Sequence, residues 1–135
     1  AGWRVWLFGA PAEVQLGEQI MQQADCVNLI GRTSLTQAVS LMSAANAVVC
    51  NDSGLMHIAS ALGRPLVVVY GSSSPFAPPL NDRYKMLQLH LECQPCMKRS
   101  CPLKHHNCMK LIDSQKVIKT VLEVQKKINS ENVID

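Results

Sequence analysis

The chain has 135 residues, 47% hydrophobic and 17% charged, which is enough for one domain with a real core and too apolar for a disordered segment. A net charge of +3 and only six aromatic residues argue against a nucleic-acid partner. No apolar run approaches the length of a membrane-spanning helix, and no signal peptide is visible.

The opening Ala1-Gly2-Trp3-Arg4-Val5 already reads as a strand and lacks an initiator Met, as expected of a cut from something longer. Residues 3–8 predict that strand. Gly9-Ala10-Pro11 is a turn, and Pro11 can open a helix. Residues 13–24 place Val14, Leu16, Ile20, Met21 and Ala24 at helical spacing. Residues 27–30 predict a short strand ending at Gly31. Ser34-Leu35-Thr36-Gln37 matches a capping box and opens a helix carrying Leu35, Ala38, Val39, Leu41, Met42 and Ala45.

Residues 47–50 are a short apolar run, as expected of a parallel strand covered on both faces. Asn51-Asp52-Ser53-Gly54-Leu55-Met56-His57 then turns into a helix, with Asp52 and Ser53 as N-cap residue types. Gly63 and Pro65 predict its stop. The first amides of a helix lack internal partners and sit at the positive end of its dipole, so such a turn can bind a diphosphate. Gly54 lets backbone approach a ligand, and His57 lies in the first turn. The plainer reading is an ordinary capped turn with His57 on the surface.

Leu66-Val67-Val68-Val69-Tyr70 is an uninterrupted strand ending in Gly71 and a Ser-rich turn. Residues 76–82 hold Pro78-Pro79 and read as a loop. Residues 85–92 alternate, with Leu87, Leu89 and Leu91 on one side, and predict a strand near the sheet edge. Ser114 caps a last helix with Val117, Ile118, Val121, Leu122 and Ile128, and the tail from Ser130 is expected to fray.

Strands alternating with helices predict an α/β fold, a Rossmann-like parallel sheet with helices on both faces. Ligands of such sheets bind beyond the carboxyl ends of the strands. Loops 9–13, 31–34, 51–57 and 71–75 leave those ends, and their convergence favours a nucleotide or sugar-nucleotide site. Gly-x-Gly-x-x-Gly and the Walker A loop are absent, which excludes the usual dinucleotide and P-loop readings.

The Asn51–His57 turn, Ala61-Leu62-Gly63-Arg64-Pro65 and Tyr70-Gly71-Ser72-Ser73-Ser74-Pro75 together resemble glycosyltransferase family 9, in register across all four loops. The resemblance implies a GT-B enzyme whose C-terminal, nucleotide-sugar-binding half corresponds to residues 1–129, with the N-terminal acceptor domain missing here. It implies that Asp52, Ser53 and Gly54 hold the donor diphosphate, with His57 beside it. It places Glu13 at the ribose hydroxyls, where a carboxylate can accept from two vicinal hydroxyls. A first-turn Glu that only complements the helix dipole is the plainer alternative. Thr33 falls near the adenine. The implied reaction moves heptose from ADP-heptose to the inner core of lipopolysaccharide, with inversion and with no cofactor required. The family's catalytic base lies in the missing domain, so no catalytic residue is expected in this chain. Alone, it is expected to bind ADP weakly and to transfer nothing.

Cys93, Cys96, Cys101 and Cys108 lie within sixteen residues, with His105 and His106 between the last two. Three readings stay open: a tetrahedral structural zinc, free thiols in a packed loop, or disulfides formed on purification. The spacing is not that of a standard finger or ribbon. Lys98, Arg99, Lys104 and Lys110 make the loop basic, able to touch acceptor phosphates or a membrane surface, or simply to be solvated. Cys26 and Cys50 lie in or next to apolar segments and read as inert core residues. The expected location is the cytoplasm, including the cytoplasmic face of the inner membrane. Rival functions are the donor half of a GT-B transferase or epimerase using a UDP-sugar, and a non-catalytic metal-binding module built on loop 93–108.

Overall fold

The computed structural model describes residues 2–131, with side-chain surroundings up to residue 127. The chain divides after Leu41 into two compact units.

In the first unit, β1 (Trp6–Leu7) and β2 (Val27–Asn28) pair in parallel, Trp6 opposite Val27 and Leu7 opposite Asn28. Both strands are shorter than the sequence predicts, yet their hydrogen bonding runs further. Val27 donates to the Val5 carbonyl at 2.8 Å, Leu29 to Leu7 at 3.0 Å and Gly31 to Gly9 at 3.2 Å. Pro11 opens a 3-10 turn, Pro11–Glu13, that runs into α1 (Val14–Met21). Proline suits that first position because its missing N–H would have no helical partner there. Gly17 of α1 is buried against Asn28, and a Cβ at Gly17 would lie 2.6 Å from Asn28 Nδ2. Asn28 in turn accepts a hydrogen bond from the Ile30 amide at 3.1 Å. Gly31 takes a positive φ of 67°, and a Cβ there would press on Pro11 Cα at 3.1 Å.

The expected capping box opens α2 (Leu35–Ser43): the Ser34 amide donates to Gln37 Oε1 at 2.8 Å, and the Gln37 amide to Ser34 Oγ at 3.2 Å. The division between the units falls inside this helix.

The second unit holds a parallel sheet in the order β3-β4-β5, made of Val48–Asn51, Leu66–Val69 and Tyr84–Leu87. Central β4 is covered on both faces, which is why its sequence is an unbroken apolar run. Leu66 and Val68, with Tyr70 just beyond the strand, pack with Met56 and Ala59 of α3 (Gly54–Ala61). Val67 turns to the other face and packs with Leu87 and with Val121 and Val124 of α5 (Ser114–Glu131). Two residues per pleat thus feed two cores from one strand.

Helix α3 stops as predicted. Gly63 has a φ of 65°; its amide bonds to the Ser60 carbonyl at 3.0 Å, and the Arg64 amide bonds to Ala59 at 3.1 Å. This is a Schellman cap, and Pro65 follows it. Asn81 ties the loop before β5 to α3, its amide donating to Ser60 Oγ at 3.2 Å.

Strand β5 lies at the sheet edge, as expected, but ends at Leu87 rather than continuing to Glu92. His90 takes a left-handed φ of 55°, which breaks the alternation. Lys85 of β5 pairs with Glu123 of α5 at 2.6 Å, and that ammonium holds the Glu123 carboxyl below its usual range. The final helix is described as far as Glu131. Residues 132–135 and the Ile128 side chain lie outside the described part.

Candidate functional site

The turn after β3 delivers the predicted anion-binding residues to the start of α3. Ser53 is the N-cap, extended at φ −157° and ψ 170°, but its side chain makes no capping hydrogen bond. Its carbonyl accepts from the Met56 amide at 3.1 Å. The helix therefore starts without a Ser53 side-chain acceptor at its first amides, the groups that an anion satisfies. Asp52 and Gly54 are exposed; Ser53 and His57 are half-buried. A Cβ built on Gly54 meets nothing within 4 Å, so internal packing does not require glycine there.

Beside this turn lies a cavity of ≈ 390 Å³, within the range typical of small-molecule sites. One part of its lining comes from the ends of the strands: Asn51, Asp52 and the turn Gly71, Ser72 and Ser73. The other part comes from residues 93–109, including all four cysteines of that segment. Of the predicted diphosphate residues only Asp52 lines the cavity; Ser53, Gly54 and His57 are outside its lining.

The cysteine-rich segment is docked onto the turn after β4. Gln94 Nε2 donates to the Gly71 carbonyl at 2.7 Å, and the Met97 amide donates to Ser72 at 2.9 Å. Gln88 Nε2 reaches the Ser73 carbonyl at 3.4 Å. Gly71 is buried under the short helix α4 (Asn107–Lys110): a Cβ there would lie 2.7 Å from Met109 Sδ and 3.7 Å from Cys108 Sγ. Sequence reasoning marked this segment as basic and cysteine-rich, but not as a wall of the site.

All six cysteines are unbridged and half-buried. Among the described residues, no three His, Cys, Asp or Glu side chains are gathered to hold a metal ion. Cys93, Cys96, Cys101 and Cys108 all line the same cavity.

Two thiols are shifted in opposite directions. Cys101 is lowered from its ordinary value, first by the His106 amide and then by those of Leu103, His105 and Lys104, against some desolvation. Lys104 and His106 both take left-handed φ values, 58° and 56°, which turn successive amides inward as a nest for negative charge. Cys50 is pushed up to about 11 by burial and by the nearby Asp52 carboxylate. Iodoacetamide at neutral pH should therefore label Cys101 well before Cys50, as read by peptide mass spectrometry. Equal labelling of the two would refute the difference. A raised folded-state pKa also carries a sign for stability: the Cys50 contribution is full below pH 9 and is lost as pH rises toward 11.

Glu13 and Thr33 belong to the first unit. The exposed Glu13 carboxylate accepts from the Ala10 amide at 2.7 Å and closes the 3-10 turn. A Cβ at Gly9 would lie 2.7 Å from Glu13 Oε2. One carboxylate oxygen is thus engaged locally. Thr33 is half-buried just after the Gly31 turn.

The family described as Glycosyltransferase family 9 (heptosyltransferase) matches residues 1–107. This chain belongs to glycosyltransferase family 9. Among family 9 relatives, it is 42% identical over 124 residues to lipopolysaccharide heptosyltransferase 2 of Escherichia coli K12, covering 87% of this chain and 36% of that protein. It is 46% identical over 95 residues to lipooligosaccharide heptosyltransferase 2 of Haemophilus influenzae, covering 65% of this chain and 28% of the relative. The chain thus spans about a third of the length of the curated family 9 proteins it matches.

The solved structure of E. coli ADP-heptose LPS heptosyltransferase II superposes with a TM-score of 0.78 at 38% identity, over 95% of this chain and 38% of that one. A family 9 glycosyltransferase from Veillonella parvula superposes at 0.76 with 23% identity, over 93% and 37% respectively, and supports the fold. The parallel α/β architecture read from the sequence is that of the family.

Proposed function

We propose that this chain is the donor-binding part of a lipopolysaccharide heptosyltransferase, taking ADP-heptose as donor and the lipopolysaccharide inner core as acceptor. The observation that carries the reading is the cavity at the carboxyl ends of β3 and β4, lined by Asp52, in a chain of family 9. Ligands of parallel α/β sheets bind at those ends. The names of the relatives supply the heptose and the lipopolysaccharide.

On this reading the residues act on the leaving group. Breaking the bond between the sugar and the diphosphate puts negative charge on ADP. The amides at the start of α3, from Gly54 onward, and the positive end of its dipole stabilise that charge as it develops. His57, in the same turn, adds a donor beside the phosphates. Glu13 has a second oxygen beyond the one that caps Ala10, and it accepts from the ribose hydroxyls. Thr33 lies by the adenine. No catalytic base is assigned to this chain. The reaction runs in the cytoplasm, next to the membrane that carries the acceptor.

Calorimetric titration with ADP, UDP and GDP tests the reading, with Asp52→Ala and Glu13→Gln run in parallel. Glutamine retains an acceptor for Ala10, so the second variant removes charge and not the cap. ADP is expected to bind at least tenfold more tightly than UDP or GDP and Glu13→Gln to weaken it by about tenfold, whereas Asp52→Ala keeps the backbone amides and removes like charge, so it should not weaken ADP. UDP binding as tightly as ADP would remove the ADP-heptose assignment.

A further inference from the structure

The cavity carries more positive charge than its own acids balance. Lys98 and Arg99 line it, against a single carboxylate, Asp52. Neither Lys98 nor Arg99 makes a hydrogen bond or an ion pair among the described residues. Both are exposed, and their place in the chain is set by the backbone: the Met97 amide, just before Lys98, is bonded to the Ser72 carbonyl at 2.9 Å. Gln94 on Gly71 and α4 over Gly71 hold the same segment from either side.

We propose that Lys98 and Arg99 are phosphate-binding residues of this site, holding the diphosphate of a nucleotide sugar from the wall built by the cysteine-rich segment. The inference rests on the donor-binding reading above and adds the side chains that neutralise the ligand. Two unpaired cations in a cavity with one carboxylate call for an anion of more than one charge. Arginine's planar fork suits two phosphate oxygens at once, and lysine supplies a point charge beside it. The α3 amides supply only partial charges, so full neutralisation of a diphosphate needs cations of this kind. The segment is thus part of the binding site rather than a solvated loop or a scaffold for its thiols.

The test measures binding of inorganic pyrophosphate, ADP and adenosine to the chain and to its K98Q/R99Q variant. A K116Q/K126Q variant, with both changes on α5, removes the same charge elsewhere. K98Q/R99Q should weaken pyrophosphate and ADP about tenfold or more, leave adenosine unchanged and flatten the salt dependence. K116Q/K126Q should change each by less than about twofold. Pyrophosphate affinity equal in the two variants, or no pyrophosphate binding by the unaltered chain, would overturn the proposal. Pyrophosphate carries no base, so the outcome separates from that of the donor reading. ADP selectivity that survives K98Q/R99Q with undiminished affinity sinks this inference alone. Dependence on Lys98 and Arg99 without preference among nucleotides supports it and sinks the ADP assignment.

Discussion

Tyr70→Ala is expected to cost about 3–5 kcal/mol of folding stability, the range for deleting a buried aromatic ring. Tyr70 is fully buried at the end of β4, among Met42, Met56, Ala59, Leu66 and Val68. Its ring joins the α3 face of the sheet to the turn that bears Gly71, Ser72 and Ser73, so an empty ring site loosens the core and the cavity together. The hydroxyl contributes little by comparison. Its partner is Met56 Sδ at 3.5 Å, and a thioether is a weak acceptor. Tyr70→Phe should therefore cost no more than about 1 kcal/mol. Burial, with the Asp52 carboxylate next in weight, also raises the phenol's pKa, so the group stays protonated well into the alkaline range. Urea denaturation followed by circular dichroism separates the two variants. A loss below about 1 kcal/mol for Tyr70→Ala would mean that this core does not hold the strand end.

Gly54→Ala should leave stability unchanged or slightly raised, and weaken ADP binding by about tenfold or more. The two halves of this expectation have different causes. A Cβ at Gly54 meets nothing in the protein, its φ is not in the left-handed region, and alanine is the better helix residue by up to about 1 kcal/mol. On the proposed reading, the open space beside that Cβ is where phosphate oxygens approach the amides of α3. A methyl group there holds the anion off by more than a hydrogen bond tolerates. Thermal melts read the first half and calorimetry the second. A destabilised variant would point to a packing role for glycine. A stable variant with unchanged ADP affinity would remove the diphosphate from this turn.

The contrast among the glycines shows what could be read in advance. Gly54 and Gly63 sit in patterns a few residues long, a turn into a helix and a cap out of it, and both patterns were readable. A Cβ at Gly17 or Gly71 would press on residues further off in sequence, Asn28 and Met109. Nothing local marks them. The same holds for Glu13, where the cap on Ala10 is local and was foreseeable as a first-turn carboxylate, while its reach toward a ribose depends on a ligand.

By itself, the sequence determined the strand-and-helix alternation, the capping box at Ser34, the stop at Gly63, the unbroken apolar run of β4 and membership of family 9. Each of these rests on residue spacing over a few positions, or on apolar runs that can be buried in only one way. Only the tertiary structure decided that β5 ends at Leu87. It also decided that the four thiols line a cavity, and that residues 93–109 form one wall of it. Those outcomes depend on bonds such as Gln94 to Gly71 and Met97 to Ser72, between groups more than twenty residues apart. A side-chain amide or a backbone N–H has many possible carbonyl partners, and the sheet chooses among them only once β4 and β5 have brought the two loops together.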